Sequence, residues 1–284
     1  MNKKTLKQTI FFNVFRAVTI IVVVFLIYLI GTFVQNGIGV INWTFLTDIP
    51  RQGMTAGGIF PAIIGTIYIT LGTMAVALPI GIAAAIYLVE YAGQNRIVGL
   101  VNMAITNLAG VPSIVFGLFG FGLFVVFFRF GTSIIAGTLT MSLVVLPIII
   151  SASREALVSV PKGFREGSLA LGATRWQTVW HNTLPYGIPE MLTGSILALA
   201  RAAGETAPLI LTAAFFYSPS LPRSPFDGTM TLATHIYYVL TQSPNPALAR
   251  PAAYGTALVL IAIVMSLNAV AIAFRTRYRR KRNW

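Results

Sequence analysis

Two opposite charges lie four residues apart in an otherwise apolar stretch of the sequence. Arg201 and Glu205 belong to residues 186–216, which are long and apolar enough to cross a membrane. On a continuous helix this spacing places both side chains on one face. An arginine in the hydrocarbon core costs at least about 2.5–3.5 kcal/mol, so it must face a partner or a water-filled path. Its guanidinium is a planar fork that matches the oxygens of phosphate and related anions.

Two interpretations of this pair remain open. In the first, the two charges satisfy each other and only make membrane insertion tolerable. In the second, Arg201 binds a passing oxyanion and Glu205 accepts a proton from monohydrogen or dihydrogen phosphate, a proton that sulfate lacks at neutral pH. Thr206 is a weaker candidate for the same path, because helix hydroxyls commonly bond their own backbone.

The composition is that of a membrane protein. Of the 284 residues, 56% are hydrophobic and 10% are charged, and the mean hydropathy is +0.79. Soluble domains carry about 25% charged residues, so lipid must be the solvent for much of this chain. Cysteine is absent, which excludes disulfides, thiolate metal sites and cysteine nucleophiles.

The hydropathy pattern predicts an all-α, polytopic membrane protein with six transmembrane helices. The predicted spans are residues 17–35, 60–88, 97–127, 132–152, 186–216 and 252–274. The first is longer than the apolar core of a signal peptide and no small-residue cleavage site follows it, so we expect a retained helix. Four spans contain a proline and are predicted to be kinked. These prolines are Pro79, Pro112, Pro147 and Pro208.

The distribution of basic residues predicts the orientation in the membrane. Most of the 20 Lys and Arg residues fall in segments that share one side with both termini, and that side is expected to be the cytoplasm. The opposite side carries Arg51, Arg129, Arg223 and Arg250. Topology then explains the net charge of +13, so no nucleic-acid partner is expected. The basic C-terminal residues are expected to act mainly as a topology anchor beside the membrane lipid, and binding of anionic lipid head groups is the less favoured alternative.

A polar loop, residues 154–185, separates two of the apolar stretches on the cytoplasmic side. Pro161 can begin a short helix, and Gly172 can end it in the left-handed conformation. Thr174 can then cap a second helix. We therefore predict a helix–turn–helix that lies across the membrane surface.

The polar loop resembles the EAA loop of the permease subunits of ABC importers. The matching residues are Glu166-Gly167-Ser168, then Gly172, then Thr183-Leu184-Pro185, with Gly and Ser in place of the two alanines. Residues 57–70 and 110–120 are also similar to this class. The string ALARAAGETAPL around Arg201 resembles phosphate-importer permeases, most of all the PstA-type subunit. The resemblance covers roughly residues 57–275.

The resemblance implies a type I ABC importer permease fold and the translocation of inorganic phosphate. It implies three regions: residues 1–56 as N-terminal tail, first span and outer loop, residues 57–275 as permease domain, and residues 276–284 as a basic cytoplasmic tail. It assigns Arg201 and Glu205 to the substrate path. It assigns the polar loop to docking on an ATPase, through Arg165, Glu166, Gly167, Ser168 and Gly172.

The implied partners are a second, homologous permease subunit, a cytoplasmic ABC ATPase dimer and an extracytoplasmic phosphate-binding protein, assembled in the cytoplasmic membrane of a prokaryote. The sequence contains no G-x-x-x-x-G-K-[ST] phosphate-binding loop, so ATP and magnesium are expected on the partner ATPase. We therefore expect a chain that is not an enzyme and binds no cofactor. His181 and His235 are too far apart to share a metal ion.

Two alternatives remain open at this stage. A permease for another oxyanion, such as molybdate, sulfate or phosphonate, would share the same architecture. A non-transporting membrane scaffold or sensor could use the same loop for a different purpose. An integral-membrane enzyme is disfavoured, because no acid–base or metal cluster is apparent among the seven acidic residues.

Overall fold

The apolar stretches of this chain form helices, because a helix bonds every backbone N–H and C=O internally where water is absent. The computed structural model describes residues 3–93, 95–214 and 220–280. The helices are α1 (Lys3–Gly37), α2 (Trp43–Thr47), α3 (Phe60–Ile86), α4 (Arg96–Ala109), α5 (Ser113–Gly120), α6 (Ile134–Val158), α7 (Lys162–Ala170), α8 (Arg175–Thr178), α9 (Leu184–Gly204), α10 (Ala207–Thr212), α11 (Leu232–Thr241) and α12 (Pro246–Arg280).

Short elements complete the chain. Wide π-helical turns continue α3 through Tyr87–Tyr91, α5 through Phe121–Phe127 and α8 through Val179–Thr183. Single 3₁₀ turns cover Ile38–Val40 and Gln52–Met54. The strands β1 (Pro50–Arg51) and β2 (Ala56–Gly57) form one antiparallel pair in the outer loop. The all-helical architecture agrees with the prediction from hydropathy.

The predicted count of six spans is not reached among the described residues. Four helices are long and apolar enough to cross a membrane. They are Lys7–Val40, Phe60–Tyr91, Ile134–Val158 and Pro246–Tyr278. A fifth span exists if α4 and the helix Ser113–Phe127 are taken together, although they bend by 103°. The predicted span 186–216 is divided between α9 and α10, and its last two residues lie outside the described ranges.

Prolines cause both interruptions. Pro112 lies between α4 and α5, where it has no N–H to donate and its ring would collide with the carbonyl of Leu108. In the same way Pro208 stands four residues after Gly204, where α9 ends. Glu205 leaves the helix with φ −72° and ψ 138°. The sequence predicts kinks at these prolines, and the structure has complete breaks.

The inner core is formed by α3, α6 and α9, which pack against one another, with α12 packed on α9. Helices approach closely where glycine faces a small neighbour. Gly194 of α9 lies against Ala152 of α6, and Gly72 of α3 lies against Thr138 of α6. The first and last helices also pack together. α1 lies against α12, and Gly37 is close to the backbone of Tyr254 and Gly255. Residues 281–284 of the predicted basic tail lie outside the described residues.

An outer layer covers one end of this core. It is built by α2, α11 and the strand pair. His235 of α11 is fully buried, with 2% exposure, and its Nδ1 has no hydrogen-bond partner among the described residues. Burial lowers the pKa of His235 from 6.5 to about 4, because the charged imidazolium is poorly solvated there.

The buried histidine predicts a loss of stability in mild acid. Between pH 6.5 and about 4 the unfolded chain protonates His235 whereas the folded chain keeps it neutral. The free energy of unfolding should therefore fall by about 3 kcal/mol as the pH falls through this window. Thermal unfolding in nanodiscs at several pH values would measure this, with His235→Leu expected to flatten the dependence. His181→Gln, at an exposed histidine, should keep it. Equal pH slopes in the wild type and His235→Leu would contradict the prediction.

Candidate functional site

The charged pair near the end of α9 is in contact. Arg201 Nε lies 3.2 Å from Glu205 Oε1, and the two side chains are 37% and 17% exposed. The sequence predicts these residues on one face of a continuous helix. The structure instead places Glu205 just beyond the end of α9, in extended conformation. The prediction of helical continuity is therefore wrong, although the two side chains meet.

The guanidinium of Arg201 is only partly used. Its Nε donates to Glu205, and within residues 3–93, 95–214 and 220–280 neither terminal nitrogen has a hydrogen-bond partner. Those two nitrogens form the end of the planar fork that binds carboxylate or phosphate oxygens in pairs. The arrangement leaves Arg201 able to bind an anion while it stays paired with Glu205.

The helix α9 has a packed face and an open face. The packed face is buried against other helices through Met191, Ser195, Ala198 and Ala202. The open face consists of Glu190, Thr193, Leu197, Arg201 and Gly204, spaced at three to four residues, and all but Arg201 are exposed. Arg201 therefore points away from the core of its own chain.

Thr206 lies in the break between α9 and α10. Its backbone carbonyl accepts a hydrogen bond from the N–H of Ile210 at 3.1 Å, and its side chain is half-buried. Among the described residues, no hydrogen bond joins its hydroxyl to Arg201 or Glu205. The structure thus places Thr206 beside the pair without making it part of the pair.

The polar loop has the helix–turn–helix form that its sequence predicts. Gly172 has φ +83°, the left-handed conformation expected for a residue that ends a helix. Thr174 caps α8, where its hydroxyl accepts from the N–H of Gln177 while the Gln177 side chain accepts from the N–H of Thr174. This reciprocal capping fixes the turn between α7 and α8.

The five residues expected to dock on an ATPase divide into two groups. Glu166, Gly167 and Gly172 are exposed. Arg165 and Ser168 turn inward instead, and the hydroxyl of Ser168 lies 3.0 Å from that of Thr178. The first group is the more accessible to another protein in this conformation.

Arg165 is held by a residue that the sequence analysis left outside the site. Its Nη2 lies 2.8 Å from Glu90 Oε1, and its Nε lies 3.1 Å from the same oxygen. Nη1 donates to the carbonyl of Val160 at 2.8 Å, and Nη2 donates to that of Leu157 at 2.6 Å. The two side chains are 20% and 10% exposed. Because 75 positions separate Glu90 from Arg165, no local pattern could have revealed the pair.

Apolar side chains stand exposed around the same turn. Leu171 is 91% exposed, and the rings of Trp176 and Trp180 stack with their centroids 5.6 Å apart while remaining more than half exposed. Large apolar groups grouped on a surface mark contact with a protein or a membrane. Within the described residues, no group of three His, Cys, Asp or Glu could hold a metal ion.

Comparisons with known proteins agree with this architecture. Residues 77–283 match the family described as binding-protein-dependent transport system inner membrane component. The chain is 33% identical over 282 residues to the probable ABC transporter permease protein YqgI of Bacillus subtilis, with 95% of each chain covered. It is 36% identical over 286 residues to the phosphate transport system permease protein PstA 1 of Mycobacterium tuberculosis, covering 98% of this chain and 90% of that one. A probable PstA of Methanocaldococcus jannaschii is 33% identical, with 93% and 92% covered.

Solved structures share the fold. A chain of a bacterial alginate ABC transporter, crystallised with its alginate-bound periplasmic protein, superposes with a TM-score of 0.68 at 16% identity, and 94% of each chain is covered. A chain of the inward-facing MetNI methionine ABC transporter gives 0.59 at 17% identity, with 78% of this chain and 94% of that chain covered. The predicted ABC importer permease fold is thereby confirmed.

The close approach at Gly194 yields a test of how α9 is positioned. A Cβ at Gly194 would collide with the side chain of Ala152, so Gly194→Val should separate α9 from α6. Overpacking of this kind costs about 1–3 kcal/mol. The thermal midpoint in nanodiscs should fall by several degrees. Gly31→Val is the matched control, because a Cβ there has no neighbour within 4 Å. An unchanged midpoint for Gly194→Val would show that the approach is not tight.

Proposed function

Because the chain belongs to the family of binding-protein-dependent transport system inner membrane components, we propose that it is the permease subunit of an ATP-driven ABC importer for inorganic phosphate. The observation that carries the proposal is that its likeness to phosphate transport permeases extends over nearly the whole chain. The protein is embedded in the membrane through several spans. We place both termini in the cytoplasm, as the distribution of basic residues predicts.

In this proposal Arg201 is the group that meets phosphate. Its two terminal nitrogens, which have no hydrogen-bond partner in the described part of the chain, offer a bidentate contact to two phosphate oxygens, while Glu205 holds the guanidinium through Nε. Glu205 also presents a carboxylate oxygen to the bound anion, and this oxygen can accept a hydrogen bond. A protonated phosphate oxygen can donate to it, whereas sulfate would meet a like charge. Selection of phosphate over sulfate then follows from the proton that phosphate carries.

The open face of α9 supports a second permease subunit as partner. A lipid-facing Arg201 would be costly, since insertion scales assign at least about 2.5–3.5 kcal/mol to a central arginine. Glu190 and Thr193 on the same face already accept hydrogen bonds from Ser159 and Arg275 of this chain. The need for a partner on this face therefore rests on Arg201. We therefore propose that this face borders a path enclosed by this chain and a homologous permease. An extracytoplasmic phosphate-binding protein would deliver the anion to that path.

ATP hydrolysis is assigned to separate cytoplasmic subunits, because the sequence has no phosphate-binding loop of its own. The outward group of the polar loop, Glu166, Gly167 and Gly172, with the exposed Leu171, would dock on that ATPase. Closure of the ATPase pair on ATP would then move α7 and open the path alternately to the two sides. The breaks at Pro112 and Pro208 supply places where helices can change direction.

Loss of Arg201 should strongly reduce transport. We expect Arg201→Ala to lower uptake of labelled phosphate by about tenfold or more, because a charged hydrogen bond contributes about 1.5–3 kcal/mol. Uptake is measured in cells that lack this chain and other phosphate importers, complemented with each variant. Arg223→Ala, at an exposed arginine on the outer side, is the matched control and should transport normally. Glu205→Gln should retain uptake but lose the preference for phosphate over sulfate.

The same assay separates the alternatives. Competition by molybdate or sulfate in the wild type would indicate a permease for another oxyanion. Undiminished uptake by Arg201→Ala would remove Arg201 from the path, and undiminished uptake without the chain would leave a scaffold or sensor role. If Glu205→Gln keeps the preference of the wild type, the proton of phosphate is not what the site selects.

The exposed Leu171 should contribute to ATPase docking. Burial of a leucine side chain stabilises a contact by about 1.5–3 kcal/mol, so Leu171→Ser should weaken retention of the ATPase subunit by about tenfold. Retention is measured by co-purification of the ATPase with the tagged permease. Leu221→Ser, at a leucine 42% exposed on the outer side, serves as control. Equal retention by both variants would show that Leu171 lies outside the docked surface.

A further inference from the structure

We infer that Arg165 is a positioning residue that ties the polar loop to α3 through Glu90, and that it lies outside the surface that meets the ATPase. The inference rests on the proposed function, because the polar loop has a motion to transmit only if a partner docks there. It changes the role that resemblance assigns to Arg165, from docking residue to internal link.

The first part of the link is the ion pair between Arg165 and Glu90. Two nitrogens of Arg165 lie within 3.1 Å of Glu90 Oε1, and the exposure of the side chains is 20% and 10%. Glu90 belongs to the π-helical turn Tyr87–Tyr91, which continues α3 towards the polar loop. The pair therefore connects α7 directly with the end of the transmembrane helix that packs on α6 and α9.

The guanidinium of Arg165 also caps the C-terminal end of α6. Its Nη1 donates to the carbonyl of Val160 and its Nη2 to that of Leu157, in the segment where α6 ends and the chain turns into α7. The last carbonyls of a helix lack partners within the helix and carry partial negative charge, so a cation is favoured there. One side chain thus joins α3, α6 and α7.

The helix α7 has two faces with different neighbours. Arg165 and Ser168, one turn apart, face inward, and Ser168 contacts Thr178 of α8. Glu166 and Gly167 face outward and are exposed. A force applied to the outward face reaches the transmembrane helices through the inward face. Among the described residues, the pair of Arg165 with Glu90 is an inward contact that ends on the turn continuing α3.

Directional hydrogen bonds are well suited to hold α7 in a fixed position relative to α3. Apolar side chains can slide past one another, whereas a planar fork with fixed donors keeps one orientation relative to its acceptors. Lysine could pair with Glu90 but has a single nitrogen, so it could not reach Glu90 and both carbonyls in the same geometry. We expect Arg165→Lys to be intermediate between the wild type and Arg165→Met.

The test uses the assembled transporter in nanodiscs and reports the position of α7 relative to α3. This chain has no cysteine, so Leu71→Cys on α3 and Ala170→Cys on α7 can carry two spin labels, once the labelled pair has been shown to support uptake. Their distance distribution is measured by pulsed electron paramagnetic resonance. Arg165→Met and Glu90→Gln should each widen it by about twofold or more, as expected when a local contact opens. Arg175→Met, which removes an exposed arginine of the same loop, should leave it unchanged.

A second readout distinguishes positioning from docking. The amount of phosphate moved per ATP hydrolysed should fall about tenfold or more in both variants, since small misplacements can cost as much as a hundredfold. The double variant should be no worse than Arg165→Met alone, because both changes break one link. Co-purification of the ATPase should be equal in Arg165→Met and Glu90→Gln.

Two results would overturn the inference. One is an unchanged distance distribution in Arg165→Met or in Glu90→Gln. The other is loss of the ATPase from Arg165→Met while Glu90→Gln retains it, which would place Arg165 in the docked surface. If Arg165→Met fails to assemble, Arg165→Lys and Glu90→Gln give the same comparison. Failure of the phosphate assignment would appear in uptake by the wild type, whereas the distance measurement does not depend on the substrate.

Discussion

Pro208 determines where α9 ends, and the charged site depends on that ending. Its missing N–H and its ring deny Gly204 the next helical bond, so the chain leaves the helix at Glu205. Had the helix continued, Glu205 would lie one turn beyond Arg201 on a regular surface. The break instead turns the carboxylate to the Nε side of the guanidinium and leaves the two terminal nitrogens without partners among the described residues. The restriction that Pro208 places on the backbone thereby leaves Arg201 paired with Glu205 while its terminal nitrogens can still donate hydrogen bonds.

The ion pairs of Arg201 and Arg165 differ in how completely the arginine is hydrogen-bonded. Arg201 makes one contact at 3.2 Å and is 37% exposed, so water and screening keep the pair weak and its fork accessible. Arg165 uses three nitrogens on one carboxylate and two carbonyls, and is 20% exposed. In the proposed mechanism Arg201 exchanges partners during transport, and a charge that does so has to be weakly held. A charge that must keep two segments in register has to be saturated, because an unpaired buried charge is costly.

Local chemistry made part of this structure predictable from the sequence. Gly172 and Thr174 encode the turn of the polar loop, because a left-handed residue and a capping hydroxyl act on their immediate neighbours. Hydropathy likewise located the long helices. The severity of the breaks at Pro112 and Pro208 was not predictable, because a proline in a membrane helix can be accommodated by a kink when neighbours shelter the freed carbonyls. The inward orientation of Arg165 depends on Glu90, and a single sequence contains no record of that distant contact.

Two surfaces of the described chain, one on α9 and one on the polar loop, are left uncovered. The packed face of α9 includes small residues that let helices approach, while its open face carries Arg201 between Leu197 and Gly204. At the turn of the polar loop, Leu171 and the two stacked tryptophans are exposed beside an inward face that is held by hydrogen bonds. In the proposed importer, partner subunits would cover both the exposed arginine of α9 and the exposed apolar side chains of the polar loop. The surfaces that this fold leaves open would then be the ones through which it acts as a permease.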